Sequence, residues 1–310
     1  MTGYPPPRRF APPLLGKGGE SLLIAGAGFR VNLRLSAVAL FVFCGTAAAA
    51  APGAVPDIPT PYLPSTTVAV DEMLRLANVT PGDLVVDLGS GDGRMVISAA
   101  RDYGARGLGI ELDAKLVVES QENARKAGVT DRVTFRQGDV LASDYRDATV
   151  VTLYLLPNLV EKLKPQLLDL RPGTRIVAHD YGFSDWKPDR RVVISKTYML
   201  YVVPSRVGGK WRLQAALPDG ARDYEFDIQQ KYQEISGGMR VQGGYLPAFE
   251  ARLEGDSISF VLVEDGISHR YQGRVLSTLE IEGVVRSGTG GNVTEGRWRA
   301  TRDVPAGGEG

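Results

Sequence analysis

The pattern of apolar and polar positions becomes regular at Thr66 and stays regular to about residue 204. Residues 66–79 place apolar side chains three and four apart, which predicts an amphipathic helix. Short apolar runs then alternate with further helical patterns, which predicts a mostly parallel sheet with helices on both faces. Residues 190–195 and 197–204 are expected to close this sheet as an antiparallel edge pair. The later helices are predicted at Arg94–Tyr103, Ala114–Ala127 and Leu159–Leu170.

Past Pro204 the helical period disappears and strand-like runs follow one another, separated by Gly, Asp and Asn. Regular turn signals with alternating apolar residues predict a small antiparallel barrel or sandwich. The glycine-rich end, residues 305–310, is expected to be disordered. The aromatic side chains of this part are most simply its own core, and they are Trp211, Tyr224, Tyr232, Tyr271 and Trp298.

The N-terminal region has the layout of an export signal. Residues 1–30 are rich in Pro and Gly and are interpreted as an unstructured leader or, preferably, as sequence upstream of a true start at Val31. An apolar stretch, residues 35–51, then ends in small residues that suit a signal-peptide cleavage site. An uncleaved membrane anchor is the alternative, whereas the Pro-rich segment that follows argues against a buried helix.

Charge around this stretch predicts the location of the chain. Arg30 and Arg34 precede the apolar residues, and no positive charge follows before Arg75. The positive-inside rule therefore predicts an exported or membrane-anchored protein on the periplasmic side, or a cytoplasmic one if the leader is not functional. We expect three parts: the leader with its signal or anchor at 1–55, an α/β domain at 56–204 and a β-rich domain at 205–310.

Composition excludes several kinds of chemistry. The chain has 310 residues, with 36 Lys and Arg against 36 Asp and Glu, so its global charge gives no case for a nucleic-acid partner. Its single cysteine, Cys44, lies in the N-terminal apolar stretch, which rules out a disulfide framework or a paired-cysteine metal site. The β-rich part has no His, Asp or Glu spacing typical of a metal site.

A glycine loop, residues 85–94, carries the main functional signal. An apolar strand enters three alternate glycines, Gly89, Gly91 and Gly93, with Ser90 between the first two, and a helix follows. Glycines at these positions allow positive φ angles and let a ligand lie against the backbone at the helix N-terminus. Alone, such a loop is equally well explained as a simple turn.

Three later strand ends strengthen the interpretation. Glu111, followed by Leu112, ends the next strand about 18 residues beyond Gly93, where an acid can bind ribose hydroxyls. Asp139 could accept the exocyclic amine of adenine, and Val140 could flank the ring. Tyr154 ends the fourth strand, beside the place where a methyl donor would sit. The carboxyl ends of parallel strands meet at one edge, so these loops predict a single nucleotide site.

The loop also discriminates between cofactors. A dinucleotide site follows Gly-x-Gly-x-x-Gly and binds a pyrophosphate, but this loop has Asp87 and Asp92 around its alternate glycines. Two carboxylates would repel a pyrophosphate, whereas they suit the ammonium and sulfonium of S-adenosylmethionine (SAM). NAD is therefore the less favoured cofactor. Asp92 has a second interpretation as a helix N-cap or first-turn acid.

Several motifs together resemble one family: PYLPS at 61–65, DLGSGDGR at 87–94, GIELD, LYLLPN and HDYGFSDWKP. This combination is similar to the ATP synthase c-subunit lysine methyltransferases and their bacterial relatives, over residues 61–204. The resemblance implies a Rossmann-like class I methyltransferase with a mostly parallel seven-stranded sheet, SAM as cofactor and a protein lysine as acceptor. It further implies that Tyr62 and the Pro61–Ser65 segment fold over SAM and that Glu111 and Asp139 take the ribose and the adenine. The floor of the cofactor site would be formed by Asp87, Gly89, Gly91 and Asp92.

The residues expected to line the acceptor pocket are Tyr154 and the pair His179 and Asp180, which end the fourth and fifth strands. A structural role for His179 is an equal alternative, and Trp186 is interpreted as a core residue rather than a cap over the acceptor. Lysine transfer would need an in-line approach of an uncharged amine. A small-molecule or lipid acceptor stays open, as does a non-catalytic SAM-binding scaffold in the cell envelope, which the presence of Asp87, Glu111 and Asp139 disfavours.

Overall fold

A computed structural model describes residues 65–241, 244–289 and 292–302. Three predictions concern residues outside these ranges: the leader with its signal or anchor at 1–55, the Tyr62 segment and the glycine-rich end. Within the described ranges, no helix is long and apolar enough to cross a membrane.

The first sheet has seven strands in the order β3-β2-β1-β4-β5-β7-β6. The first five strands are mutually parallel, and β7 pairs antiparallel with both β5 and β6, so the predicted edge pair is confirmed. Two apolar clusters pack on opposite faces of the sheet. The strands are β1 Leu84–Leu88, β2 Arg106–Glu111, β3 Val133–Gln137, β4 Val150–Leu153, β5 Arg175–His179, β6 Arg190–Val193 and β7 Thr197–Val202.

Four helices accompany this sheet: α1 Thr67–Leu76, α2 Arg94–Tyr103, α3 Ala114–Ala127 and α4 Pro157–Leu168. The bounds of α2 and α3 are as predicted. Helix α4 begins and ends two residues before its predicted bounds, because Pro157 occupies its first turn. Proline suits that position, since its missing N–H would have no partner inside the helix anyway.

The second sheet has nine antiparallel strands in the order β11-β10-β9-β8-β16-β15-β14-β13-β12. Two short strands in sequence, β11 and β12, pair with opposite edges, β10 and β13, and the Ala248 amide between them donates to the Gly237 carbonyl at 2.8 Å. The sheet therefore curls into a nearly closed barrel. The strands are β8 Gly209–Leu217, β9 Gly220–Lys231, β10 Glu234–Val241, β11 Gly244–Pro247, β12 Phe249–Glu254, β13 Ser257–Glu264, β14 Ile267–Ser277, β15 Glu280–Thr289 and β16 Asn292–Thr301.

The barrel core contains four of the five aromatic residues assigned to it from sequence, and Tyr232 is the exception. Tyr232 lies in the turn between β9 and β10, where its ring stacks on Trp186 of the first sheet's loop and its hydroxyl donates to Asp185 at 2.9 Å. The expectation for Tyr232 was wrong because a turn residue escapes the in-and-out alternation of a strand.

Trp186 is buried, stacks on Phe183 and donates its indole N–H to Gln233 at 2.8 Å, so its interpretation as a core residue is confirmed. These contacts join the two sheets, which belong to one compact unit. The chain passes from one sheet to the other between Val202 and Gly209. A domain boundary at residues 204 and 205 stays a prediction.

Candidate cofactor and acceptor site

The glycine loop is fixed to the neighbouring strand by its own backbone. The amides of Gly89 and Ser90 both donate to the Ile110 carbonyl, at 2.9 and 3.0 Å, and the Gly91 amide donates to Glu111 Oε2 at 2.9 Å. Gly93 has a φ angle of 82°, and a Cβ atom there would lie 2.6 Å from Phe135 Cε1. The sequence therefore needs glycine at position 93 for both conformation and space.

Asp87 provides a buried negative charge at the end of β1. Its Oδ1 accepts a 2.6 Å hydrogen bond from the Thr152 hydroxyl, and no ion pair to it is formed by the described residues. Burial, assisted by the charges of Glu111 and Asp92, raises the pKa of Asp87 to about 7. A buried carboxylate in this state favours a cationic ligand, because an ammonium beside it would compensate for lost solvation.

The other loop carboxylate, Asp92, is held by an arginine that was not among the predicted site residues. Nε of Arg94 donates to both Asp92 oxygens, at 2.9 and 3.1 Å, and Nη1 donates to the Ser65 carbonyl at 2.6 Å. The N-cap of α2 is Gly93, so the N-cap interpretation of Asp92 is wrong. Arg94 thereby ties the cofactor loop to the residues that precede α1.

The remaining predicted cofactor residues lie at the same sheet edge in different environments. The Glu111 carboxylate, besides its contact with the loop, accepts from the Asp113 amide at 3.0 Å. Leu112 and Asp139 are exposed, and Val140 is buried beside Asp139. Ser90 is buried, and its hydroxyl has no hydrogen-bond partner among the described residues.

Three aromatic rings form the acceptor side of the site. His179 stacks between Tyr154 and Tyr198, with ring centroids 4.0 and 5.1 Å away. Its Nδ1 lies 3.3 Å from the Ser65 hydroxyl, while its buried Nε2 has no hydrogen-bond partner in the described part of the chain. Burial lowers the pKa of His179, so the imidazole is neutral at pH 7.

Asp180 follows His179 directly and is paired with a lysine. Its Oδ2 lies 2.6 Å from Lys196 Nζ and 4.0 Å from His179 Nε2, and its Oδ1 accepts from the Thr197 amide at 3.2 Å. Burial opposes ionisation, but the contacts with Lys196 and the Thr197 amide outweigh it and lower the pKa of Asp180. The structure thus brings Tyr154, His179 and Asp180 together, as the sequence predicts.

The donor set fits SAM. A backbone-lined loop, a buried carboxylate without an ion-pair partner among the described residues and a second acid at the end of β2 match an amino-acid ammonium and a ribose. Four residues of the site were not predicted from sequence, because they act through contacts between distant parts of the chain: Arg94, Thr152, Tyr198 and Lys196. Only Arg94, the last residue of the glycine loop, gives a local signal.

Comparison with known proteins finds methyltransferases. The family model of the ANTKMT methyltransferase domain matches residues 87–190. A protein-lysine N-methyltransferase of Saccharolobus islandicus (strain REY15A) is 38% identical over 156 residues, which cover 48% of this chain and 96% of the relative. The ATP synthase c-subunit lysine N-methyltransferase of Xenopus laevis is 37% identical over 133 residues, 42% of this chain and 57% of the relative.

A solved structure, an RNA methyltransferase from Salinibacter ruber in complex with S-adenosyl-L-homocysteine, is 50% identical over 47% of this chain and 96% of its own, with a TM-score of 0.46. Each of these three proteins therefore corresponds to less than half of the chain.

Proposed function

We propose that this chain transfers methyl groups to the side-chain amine of a protein lysine. The chain belongs to the ANTKMT methyltransferase family and is a SAM-dependent methyltransferase. The observation that carries the proposal is the acceptor side, where a neutral, buried His179 stacks on Tyr154 beside the Asp180 carboxylate. An aromatic face and a carboxylate attract an ammonium group. Relatives named as lysine methyltransferases support the same acceptor.

The residues divide the work between cofactor and acceptor. SAM, when bound, supplies the electrophilic methyl group. Asp87 would hold its ammonium, the glycine loop would support its amino-acid part, and Glu111 would bind the ribose. These contacts fix the methyl donor for an in-line displacement, in which alignment itself lowers the barrier.

The acceptor must reach the site as an ammonium and react as an amine. Asp180 attracts the charged form. The amine gives its proton to solvent before the methyl transfer, because the buried His179 Nε2 is out of its reach. The rings of Tyr154 and Tyr198 keep the imidazole in place. This arrangement favours an amine acceptor over a hydroxyl, which would need a stronger base.

The test uses the full chain, SAM with a labelled methyl group, and two peptides that differ only by Lys→Arg. We expect label in the lysine peptide and none in the arginine peptide. Label found instead in added lipids or small-molecule amines would contradict the lysine acceptor and favour the alternatives. Binding of SAM without transfer to any of these would favour a non-catalytic scaffold.

We further propose that residues 31–51 export or anchor the protein, supported by their apolar composition and by Arg30 and Arg34 ahead of the apolar stretch. A reporter that is active only outside the cytoplasm, fused after Val55, should be active. An inactive reporter at normal expression, alongside an active cytoplasmic reporter at the same junction, would contradict export.

A further inference from the structure

Lys196 places an ammonium of the protein's own inside the proposed acceptor site. It lies just before β7, and its Nζ is 2.6 Å from Asp180 Oδ2. The backbone there is fixed, because the Asp180 amide donates to the Thr197 carbonyl at 2.7 Å and Thr197 donates back to Asp180 Oδ1. Asp180, the residue proposed to bind the ammonium of the acceptor, is thus already paired with the ammonium of Lys196.

Asp180 is a fixed carboxylate suited to bind a ligand ammonium, rather than one half of an ordinary surface salt bridge. Its φ angle is 59°, in the left-handed region that a non-glycine residue rarely adopts, so its surroundings hold it in place. The oxygen that binds Lys196 is the one 4.0 Å from His179 Nε2, a buried atom with no hydrogen-bond partner among the described residues. A group bound at this oxygen therefore lies beside the His179 ring.

The two partners differ in exposure. The Lys196 side chain is 51% exposed, whereas that of Asp180 is 19% exposed. A half-exposed lysine can leave for solvent at small cost, but a mostly buried carboxylate needs a cation in its place. By contrast, Lys187 and Glu234 form a pair in which both side chains are more than half exposed, at 74% and 52%.

We propose that Lys196 is an internal substitute for the acceptor: its ammonium occupies the acceptor's subsite at Asp180, and the incoming lysine displaces it. The proposal rests on the lysine acceptor proposed above. The exchange replaces one ammonium by another at Asp180, so it conserves charge in the site. Its cost is competition, because the acceptor binds only to the fraction of molecules in which Lys196 has left. Asp180 is then the residue that selects a cationic acceptor.

The test is the steady-state kinetics of methyl transfer from SAM to the lysine peptide by the full chain. Lys196→Met removes the competitor and should lower the acceptor KM about three- to tenfold, with kcat and SAM affinity within about twofold of wild type. Asp180→Asn should raise the acceptor KM about tenfold or more while SAM still binds. Lys187→Met, which breaks the exposed pair, is the matched control and should change neither constant.

A purely structural ion pair predicts the opposite. An acceptor KM for Lys196→Met that is unchanged or higher than wild type, or a lower kcat at equal SAM affinity, would overturn the proposal. If Lys196→Met folds poorly, Lys196→Arg is the deciding variant. It keeps a cation at Asp180, so its acceptor KM should equal or exceed that of wild type. A lower acceptor KM would contradict the proposal. If the wild type does not methylate the lysine peptide, the proposed function itself fails. If the wild type methylates the peptide but Lys196→Met does not lower the acceptor KM, only the role of Lys196 fails.

Discussion

At the scale of single residues, the ionised Asp87 carboxylate destabilises the fold and is also the group proposed to bind the ammonium of SAM. Its carboxylate is buried at a strand end with one hydroxyl donor, Thr152, and burial raises its pKa to about 7. Since the unfolded chain titrates this group near 3.8, the folded protein binds the extra proton between these values. Its stability contribution is therefore complete below about pH 4 and is lost as the pH rises through about 7. A cationic ligand beside the ionised carboxylate should restore the stability that is lost on ionisation.

Asp87→Asn should raise the stability of the ligand-free protein and abolish its stabilisation by SAM. The isosteric amide keeps an oxygen for the Thr152 hydroxyl but carries no charge, so the ligand-free variant should melt above wild type at pH 8. For a unit of this size, each kcal/mol corresponds to about 2–4 °C in Tm. Added SAM should raise the Tm of wild type but not of the variant, as measured by thermal unfolding at pH 5 and 8.

Asp144→Asn, at an exposed loop residue, is the control and should retain the SAM-induced increase. A SAM-dependent Tm increase in Asp87→Asn equal to that of wild type would remove Asp87 from the cofactor site.

The sequence predicts the residues of the site that belong to strand ends, such as Asp87, Glu111 and Tyr154. Their role follows from position along the chain, because parallel strands bring their carboxyl ends together. The pairs Arg94 with Ser65 and Lys196 with Asp180 could not be predicted in this way. They depend on how helix α1 packs against the sheet and how the β6–β7 hairpin pairs beside β5, which a local pattern does not encode.

At the scale of elements, the loop between β1 and α2 depends on the strand two places away. Phe135 of β3 lies below Gly93, and Ser120 of α3 adds a contact, so a Cβ at position 93 would meet them at 2.6 and 2.8 Å. The alternate glycines thus serve packing as well as the cofactor. Their conformational role could be predicted from sequence, but this close approach could not.

Gly93→Ala should therefore cost more than a positive φ alone explains. We expect a loss of about 3 kcal/mol or more in the free energy of unfolding, from combined strain and overpacking, together with loss of SAM binding. Gly128→Ala isolates the backbone effect, since Gly128 has a φ of 70° and a Cβ added there would meet no atom within 4 Å, and it should cost about 1 kcal/mol. Equal losses for the two variants, in urea unfolding, would contradict the packing argument.

At the scale of the whole molecule, the two sheets are joined by aromatic stacking rather than by a loose linker. Trp186 is buried between Phe183, Tyr201 and Tyr232, and its indole N–H is satisfied by Gln233 from the barrel's β9–β10 turn. The strand and helix patterns predicted both sheets, because each has its own periodicity. They could not predict this contact, which is made by loop and turn residues without any period.

Trp186→Ala should uncouple the sheets. Loss of this ring should cost about 3–5 kcal/mol and split thermal unfolding into two transitions. Tyr245→Ala, at an exposed barrel residue, is the control and should stay within about 0.5 kcal/mol of wild type. A single, nearly unshifted transition for Trp186→Ala in calorimetry would show that the stacking does not couple the sheets.

The central claim is that SAM binds at the carboxyl edge of the first sheet, and calorimetric titration of the full chain tests this claim most directly. We expect binding of SAM and S-adenosyl-L-homocysteine in the micromolar range and no heat of binding with NAD. Binding of NAD in place of SAM, or of neither, would contradict this assignment.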